Sequence, residues 1–201
     1  MVNLLIDAGN TSVKMAISRG GDITDETRCE ADSLIGDIDR YFHKYGHIGV
    51  VAVSDVRGLP ETIYTHLEKI CKKVIRVKGD TPLPVNNRYG TPKTLGPDRI
   101  CAAVGAHSLF PGKDCVIVDF GTAITFDFLT KEGDFLGGNI SLGLNTRFRA
   151  LNHCTGKLPL LQRVENVEQI GNCTTGAMES GVILGTIFEI EGYIRAYPGY
   201  N

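Results

Sequence analysis

The chain has no tryptophan, no Cys-x-x-C pair, and no apolar run near the roughly 18 residues that a membrane span needs. Each absence removes a class of protein. Its six cysteines, Cys29, Cys71, Cys101, Cys115, Cys154 and Cys173, are scattered. That distribution argues against a zinc ribbon or disulfide framework and for reduced thiols, several of them buried as small hydrophobes. No cationic stretch precedes the first apolar strand, so a secretory leader is not expected and a cytoplasmic setting is. An excess of basic charge is missing too: 21 Lys and Arg stand against 23 Asp and Glu, a formal net charge of −2. Surfaces that bind nucleic acid lean on clustered Lys and Arg, so neither nucleic acid nor membrane is expected as a partner. The sequence also contains no G-x-x-x-x-G-K-[ST] loop and no G-x-G-x-x-G, which leaves a P-loop and a Rossmann dinucleotide site without support.

What is present is a pair of similar hairpins. From Val116 an apolar run leads to Asp119, turns at Gly121 and Thr122, and resumes with alternating Ile124, Phe126 and Phe128. The first half reads as a buried strand and the second as a half-buried one, joined by a tight turn. Gly121 would let backbone N–H groups approach an anion closely, and Thr122 adds a side-chain donor. The N-terminus repeats the design: Leu4 to Ile6 leads into Asp7-Ala8-Gly9-Asn10-Thr11, and Val13, Met15 and Ile17 then alternate with polar or small residues. The two Asp-x-Gly turns lie more than half the chain apart, which divides it into two related domains, 1–114 and 115–201. Two such turns facing one another would cradle a polyphosphate.

Between the hairpins the pattern alternates strand and helix, the signature of an α/β layer with parallel pairing. A polar edge strand is expected over Asp22–Glu30, a helix over Leu34–Tyr45, a short strand over Gly49–Val53 ending at Ser54-Asp55, a helix over Leu59–Cys71 and a strand over Val74–Val77. A loop rich in Pro and Gly spans Thr81–Pro97, long enough to suggest function. It ends in Gly96-Pro97-Asp98-Arg99, where Pro97 suits the first position of a helix and puts Asp98 and Arg99 in its first turn. After the second hairpin come a strand over Asp134–Ile140, a helix over Leu144–Leu151 and a final helix over about Thr175–Arg195. In that last helix Ala177, Gly181 and Gly185 form one stripe of small residues, suited either to ordinary helix–sheet packing or to a subunit contact.

The acidic residues suggest separate tasks. Asp7, at a strand end beside phosphate-binding backbone, would hold Mg²⁺ directly or through water, and Lys14, on the side of Ser12, would reach a phosphate. Asp98 has a plain explanation in the helix dipole and a sharper one as the base that takes a proton from an attacking hydroxyl, since phosphoryl transfer asks mainly for positioning and charge. Arg99 would grip an acceptor, with a surface ion pair as the alternative.

Taken together, Asp7-x-Gly9-Asn10-Thr11, Gly96-x-Asp98-Arg99, Asp119-x-Gly121-Thr122-Ala123 and Gly137-Gly138-x-Ile140 occur in the order and spacing of type III pantothenate kinases. Thr155-x-Lys157-Leu158-Pro159 and Gly171-x-x-Thr174, with Met178 and Gly181, extend the resemblance over essentially the whole chain. It implies an α/β, actin-like ATPase fold of the sugar kinase and Hsp70 type, built from two ribonuclease-H-like domains. The implied activity is ATP-dependent phosphorylation of pantothenate, the first step of coenzyme A synthesis. On this resemblance Asp7, Ala8, Gly9, Asn10, Thr11, Ser12, Val13 and Lys14 bind ATP phosphates and Mg²⁺, and Thr122 contacts them from the second domain. Asp98 is the proton acceptor, while Tyr89, Gly96, Pro97, Asp98, Arg99 and Thr174 line the pantothenate site. Asp119 binds the monovalent cation, K⁺ or NH₄⁺, and the chain is a homodimer. Pro97 stands where the family usually has alanine, Leu142 where it has proline, and Asn172-Cys173 where it has Lys-Asn, which leaves Thr174 and Thr175 both open for the acceptor role. Family members also continue past Asn201, so the second domain is expected to be incomplete at its C-terminus.

Two rival readings remain. A related kinase of this fold would phosphorylate another small molecule; the Gly96-x-Asp98-Arg99 element and Tyr89 favour pantothenate. A non-catalytic accessory transcription regulator would need neither carboxylate, yet Asp7 and Asp98 are both present and no basic stripe is evident.

Overall fold

The computed structural model describes residues 1–200. The chain divides into two compact units, Met1–Gly105 and Ala106–Asn201.

The first unit opens with β1 (Val2–Ala8), β2 (Val13–Arg19) and β3 (Asp22–Cys29), all antiparallel neighbours. Two helices then act as crossovers, α1 (Leu34–Tyr45) into β4 (Val50–Asp55) and α2 (Glu61–Ile70) into β5 (Val74–Arg76). A helical crossover reverses direction, so β4 pairs parallel with β1 and β5 parallel with β4. The resulting sheet has the order β3-β2-β1-β4-β5. Alternation fixes its faces: Leu4, Ile6 and Ala8 of β1, with Val13, Met15 and Ile17 of β2, point into one apolar cluster. Leu34, Ile38 and Tyr41 of α1 and Ile63, Tyr64 and Leu67 of α2 cover that face. The loop that follows holds a two-residue strand, β6 (Asn86–Asn87), and leads to α3 (Pro97–Leu109), which begins at the proline as its sequence suggests. The boundary between the units falls inside α3.

The second unit contains β7 (Cys115–Phe120), β8 (Ala123–Leu129), β9 (Asp134–Leu142), α4 (Leu144–Cys154) and α5 (Thr174–Ala196). Both β7 and β9 pair antiparallel with β8. The hairpin expected at Val116–Phe128 is present, with burial the reverse of expectation. Ile124, Phe126, Phe128 and Leu129 of β8 are buried, whereas Cys115 is the only fully buried residue of β7. The reason is position: β8 has a strand on either side, and α5 lays Tyr193 on Phe126, ring centroids 4.0 Å apart. The paired glycines of β9 serve the sheet. A Cβ on Gly138 would come within 1.8 Å of the Phe126 carbonyl oxygen, and Gly137 has φ +91° beside a shift in the β8–β9 register. On α5 the small-residue stripe is open: a Cβ at Gly181 or Gly185 would meet nothing within 4 Å among the described residues. Ordinary helix–sheet packing therefore does not account for those two glycines.

Truncating Phe126, which is fully buried, removes both its ring stack and its share of the core. Phe126→Ala is expected to lose about 3–5 kcal/mol of stability. A lowered midpoint in urea denaturation followed by circular dichroism checks this, and an unchanged midpoint contradicts it.

Candidate active site

Asp7 stands at the carboxyl end of β1 because Leu4, Ile6 and Ala8 occupy the core face, so the intervening residue turns to the other side. Its cross-strand partner on β2 is Lys14, whose Nζ lies 3.7 Å from Asp7 Oδ2, with both side chains about half exposed. Between them runs the turn Gly9-Asn10-Thr11-Ser12. The Gly9 N–H donates to the Ser12 carbonyl at 3.1 Å, and the Gly121 N–H donates to the Ala123 carbonyl at 2.9 Å. The first bond reaches a carbonyl three residues on and the second a carbonyl two residues on, and each engages the glycine's own N–H within its turn. Ala8 and Val13 have side chains fully buried in the core, which limits them to backbone contacts with any ligand.

The Gly96-x-Asp98-Arg99 element is compact for a definable reason. A Cβ on Gly96 would lie 2.4 Å from Asp98 Oδ1, so only glycine leaves that carboxylate its place over the first turn of α3. Asp98 Oδ1 accepts the Arg99 N–H at 2.8 Å. Arg99 itself is 6% exposed, and its guanidinium sits 5.5 Å from the centroid of the Tyr89 ring. Arg99 is therefore not a surface residue, and the structure brings Tyr89 and Arg99 together. One turn further along α3, Cys101 reports on both carboxylates: burial first, then the charges of Asp7 and Asp98, push its thiol up to about 11. The sequence reading assigned Cys101 no part in the site, and its helical spacing from Asp98 was the available signal.

In the second unit Asp119 is exposed near the end of β7, opposite Thr125. The Thr122 carbonyl accepts from the Gly143 N–H at 3.0 Å and from Thr146 Oγ1 at 2.7 Å, which ties this turn to the start of α4. Thr174 is the first residue of α5 and lines a cavity of about 860 Å³ with Leu142, Arg147, Leu158, Met178 and Gly181. Thr175 instead turns its hydroxyl to Cys173 Sγ, 3.4 Å away. No motif marks Arg147, which donates to the Leu142 carbonyl at 2.8 Å and to Ser141 Oγ at 3.0 Å and forms an ion pair with Glu189.

Among the described residues no three His, Cys, Asp or Glu side chains gather in a way that would hold a metal ion. No helix among the described residues is long and apolar enough to cross a membrane.

A five-stranded unit of this order, and a second unit opened by the same Asp-x-Gly hairpin, define an α/β protein of the actin-like ATPase class. The comparisons with known proteins narrow that class. The family model for type III pantothenate kinase matches residues 3–196. The chain is 41% identical to the type III pantothenate kinase of Phocaeicola vulgatus over 98% of its own length and 82% of that protein's, and 39% identical to that of Bacteroides fragilis over 97% and 79%. The chain belongs to the type III pantothenate kinase family. Among solved structures it resembles a Campylobacter jejuni protein described as a Baf family transcriptional activator, with a TM-score of 0.59 and 20% identity over 94% of this chain and 78% of that one. At that identity the likeness shows the fold alone.

The two thiols nearest the proposed site residues differ in a checkable way. Cys173 is exposed, and the Thr175 hydroxyl and the Gly176 N–H at the start of α5 hold its thiol below the usual range, whereas Cys101 is raised. The thiolate is the reactive form, so iodoacetamide at neutral pH is expected to label Cys173 well before Cys101, as followed by peptide mass spectrometry. Equal labelling rates would contradict this account of their surroundings.

Proposed function

We propose that the chain transfers the γ-phosphoryl group of ATP to the terminal hydroxyl of pantothenate, forming 4′-phosphopantothenate at the entry to coenzyme A synthesis. Membership of the type III pantothenate kinase family supports this reading. The observation that carries it is the placement of two carboxylates in the first unit, Asp7 at a strand end beside Lys14 and Asp98 over the first turn of α3 next to the Tyr89–Arg99 pair.

The residues divide the work as follows. Asp7, Gly9, Asn10, Thr11, Ser12 and Lys14, with the backbone of Ala8 and Val13, bind the ATP phosphates, and Thr122 contacts them as well. Asp7 holds Mg²⁺, which when bound neutralises charge on the phosphates. Tyr89, Gly96, Pro97 and Arg99 bind pantothenate, and Thr174 contributes to the same acceptor. Asp98 takes the proton from the hydroxyl as that oxygen bonds to the γ-phosphorus and the bond to the β-phosphate oxygen breaks, releasing ADP. Asp119 binds a monovalent cation, K⁺ or NH₄⁺. The open glycine face of α5 supports a homodimer, and the family's metabolic role supports a cytoplasmic location.

The reaction is tested by following phosphopantothenate formation from ATP and pantothenate, with and without K⁺. Product that depends on ATP is expected; its absence under every ionic condition would refute the activity. In the same assay Asp98→Asn is expected to lower turnover by roughly 10²–10⁴-fold while ATP binding stays nearly intact. Wild-type turnover in that variant would remove Asp98 from the base role. Asp119→Ala is expected to lower activity and abolish its dependence on K⁺, so persistent K⁺ activation in the variant would place the cation elsewhere.

A further inference from the structure

Ser54 and Asp7 are partners in the parallel ladder between β4 and β1. Partners in such a ladder point to the same side of the sheet. The residues flanking them, Ile6 and Val53, point into the apolar cluster, so Asp7 and Ser54 share the opposite face. Ser54 is 9% exposed, and its Oγ has no hydrogen-bond partner among the described residues. A buried hydroxyl without a partner is unfavourable to folding, so the fold gains nothing from this oxygen.

The surroundings narrow what the hydroxyl meets. The next residue, Asp55, is fully engaged with its own loop: it accepts from the N–H groups of Arg57, Gly58 and Leu59 and from the Tyr64 hydroxyl, at 2.8–3.1 Å. The Val56 N–H donates to the Ala8 carbonyl at 3.1 Å, which holds the two strand ends together. A Cβ on Gly96 would lie 3.9 Å from Val56 Cγ1, so the element carrying Asp98 approaches the same edge. Ligands in open α/β sheets bind outside the carboxyl ends of parallel strands, and Ser54 stands at such an end beside Asp7.

We propose that Ser54 is a ligand-binding residue whose Oγ–H donates a hydrogen bond to an anionic oxygen of the magnesium–nucleotide complex held beside Asp7. The inference rests on the reading of Asp7 as the nucleotide-side carboxylate. Asp7 supplies negative charge for the metal, and Ser54 supplies a donor that an anionic oxygen needs and that a carboxylate lacks.

The test is calorimetric titration of the purified chain with Mg²⁺ and a non-hydrolysable ATP analogue, without pantothenate, alongside unliganded melting curves. Ser54→Ala is expected to weaken analogue binding about tenfold or more while its melting temperature is unchanged or higher. Ser54→Cys, which keeps the volume with a much weaker donor, is expected to bind like Ser54→Ala. Analogue affinity unchanged in Ser54→Ala would overturn the proposal, and so would a defect confined to the pantothenate KM, which would assign the hydroxyl to the acceptor. Asp7→Asn separates the two levels of inference. If Asp7→Asn loses the analogue and Ser54→Ala keeps it, the Ser54 assignment alone fails; if Asp7→Asn also binds normally, the nucleotide reading of this edge fails with it.

Discussion

The parallel pairing of β1 with β4 is the constraint on which the first unit depends. Its register is set by burial: Leu4, Ile6 and Ala8 meet Val51 and Val53 in one apolar cluster. Side chains alternate along a strand, so a slip of one residue would send Asp7 into that cluster and Ile6 out of it. The hydrophobic term that stabilises the sheet therefore also aims Asp7 and Ser54 at the face opposite the cluster. Core and candidate site are two faces of one ladder, and an apolar substitution in the core can disturb the site by changing register or spacing alone.

Helix α3 adds the second carboxylate by a local device. Pro97 presets the first helical turn, Gly96 leaves the room that Asp98 Oδ1 occupies, and the positive end of the helix dipole favours the charge there. Arg99, one residue on, points a different way and is buried against Tyr89. A helix advances about 100° per residue, which is why a half-buried carboxylate and a buried cation can be neighbours in sequence. Holding both on a rigid element keeps their separation fixed, as phosphoryl transfer requires when positioning does most of the work.

Much of this was legible in the residues. Apolar runs marked β1 and β7, period-two alternation marked β2 and β8, and Pro97 marked the start of α3, because those signals are local. The features that escaped are tertiary. Burial of β8 over β7 depends on which strand is central and on where Tyr193 lands. The glycine N–H groups of both turns are engaged by Ser12 and Ala123 carbonyls, a closure that composition cannot display. Gly181 and Gly185 read in sequence as a stripe suited to sheet packing or to a subunit contact, and only the fold shows that their surroundings are open among the described residues. Ser54-Asp55 reads in sequence as a strand end suited to a loop or a ligand contact, but neither the burial of Ser54 nor its lack of a partner among the described residues is written there.

The repeated Asp-x-Gly hairpin does not imply repeated chemistry. In the first unit the residue across from the aspartate is Lys14, close enough to balance part of its charge. In the second unit the residue across from Asp119 is Thr125, which carries no charge. A carboxylate with an ammonium beside it is suited to a site where anionic phosphates arrive and a divalent ion must not be bound too tightly in their absence. A carboxylate facing a neutral hydroxyl keeps its full attraction for a lone cation, and in water a monovalent ion needs that attraction because each contact is weak. The single difference between Lys14 and Thr125 gives the two carboxylates different electrostatic surroundings at corresponding strand ends.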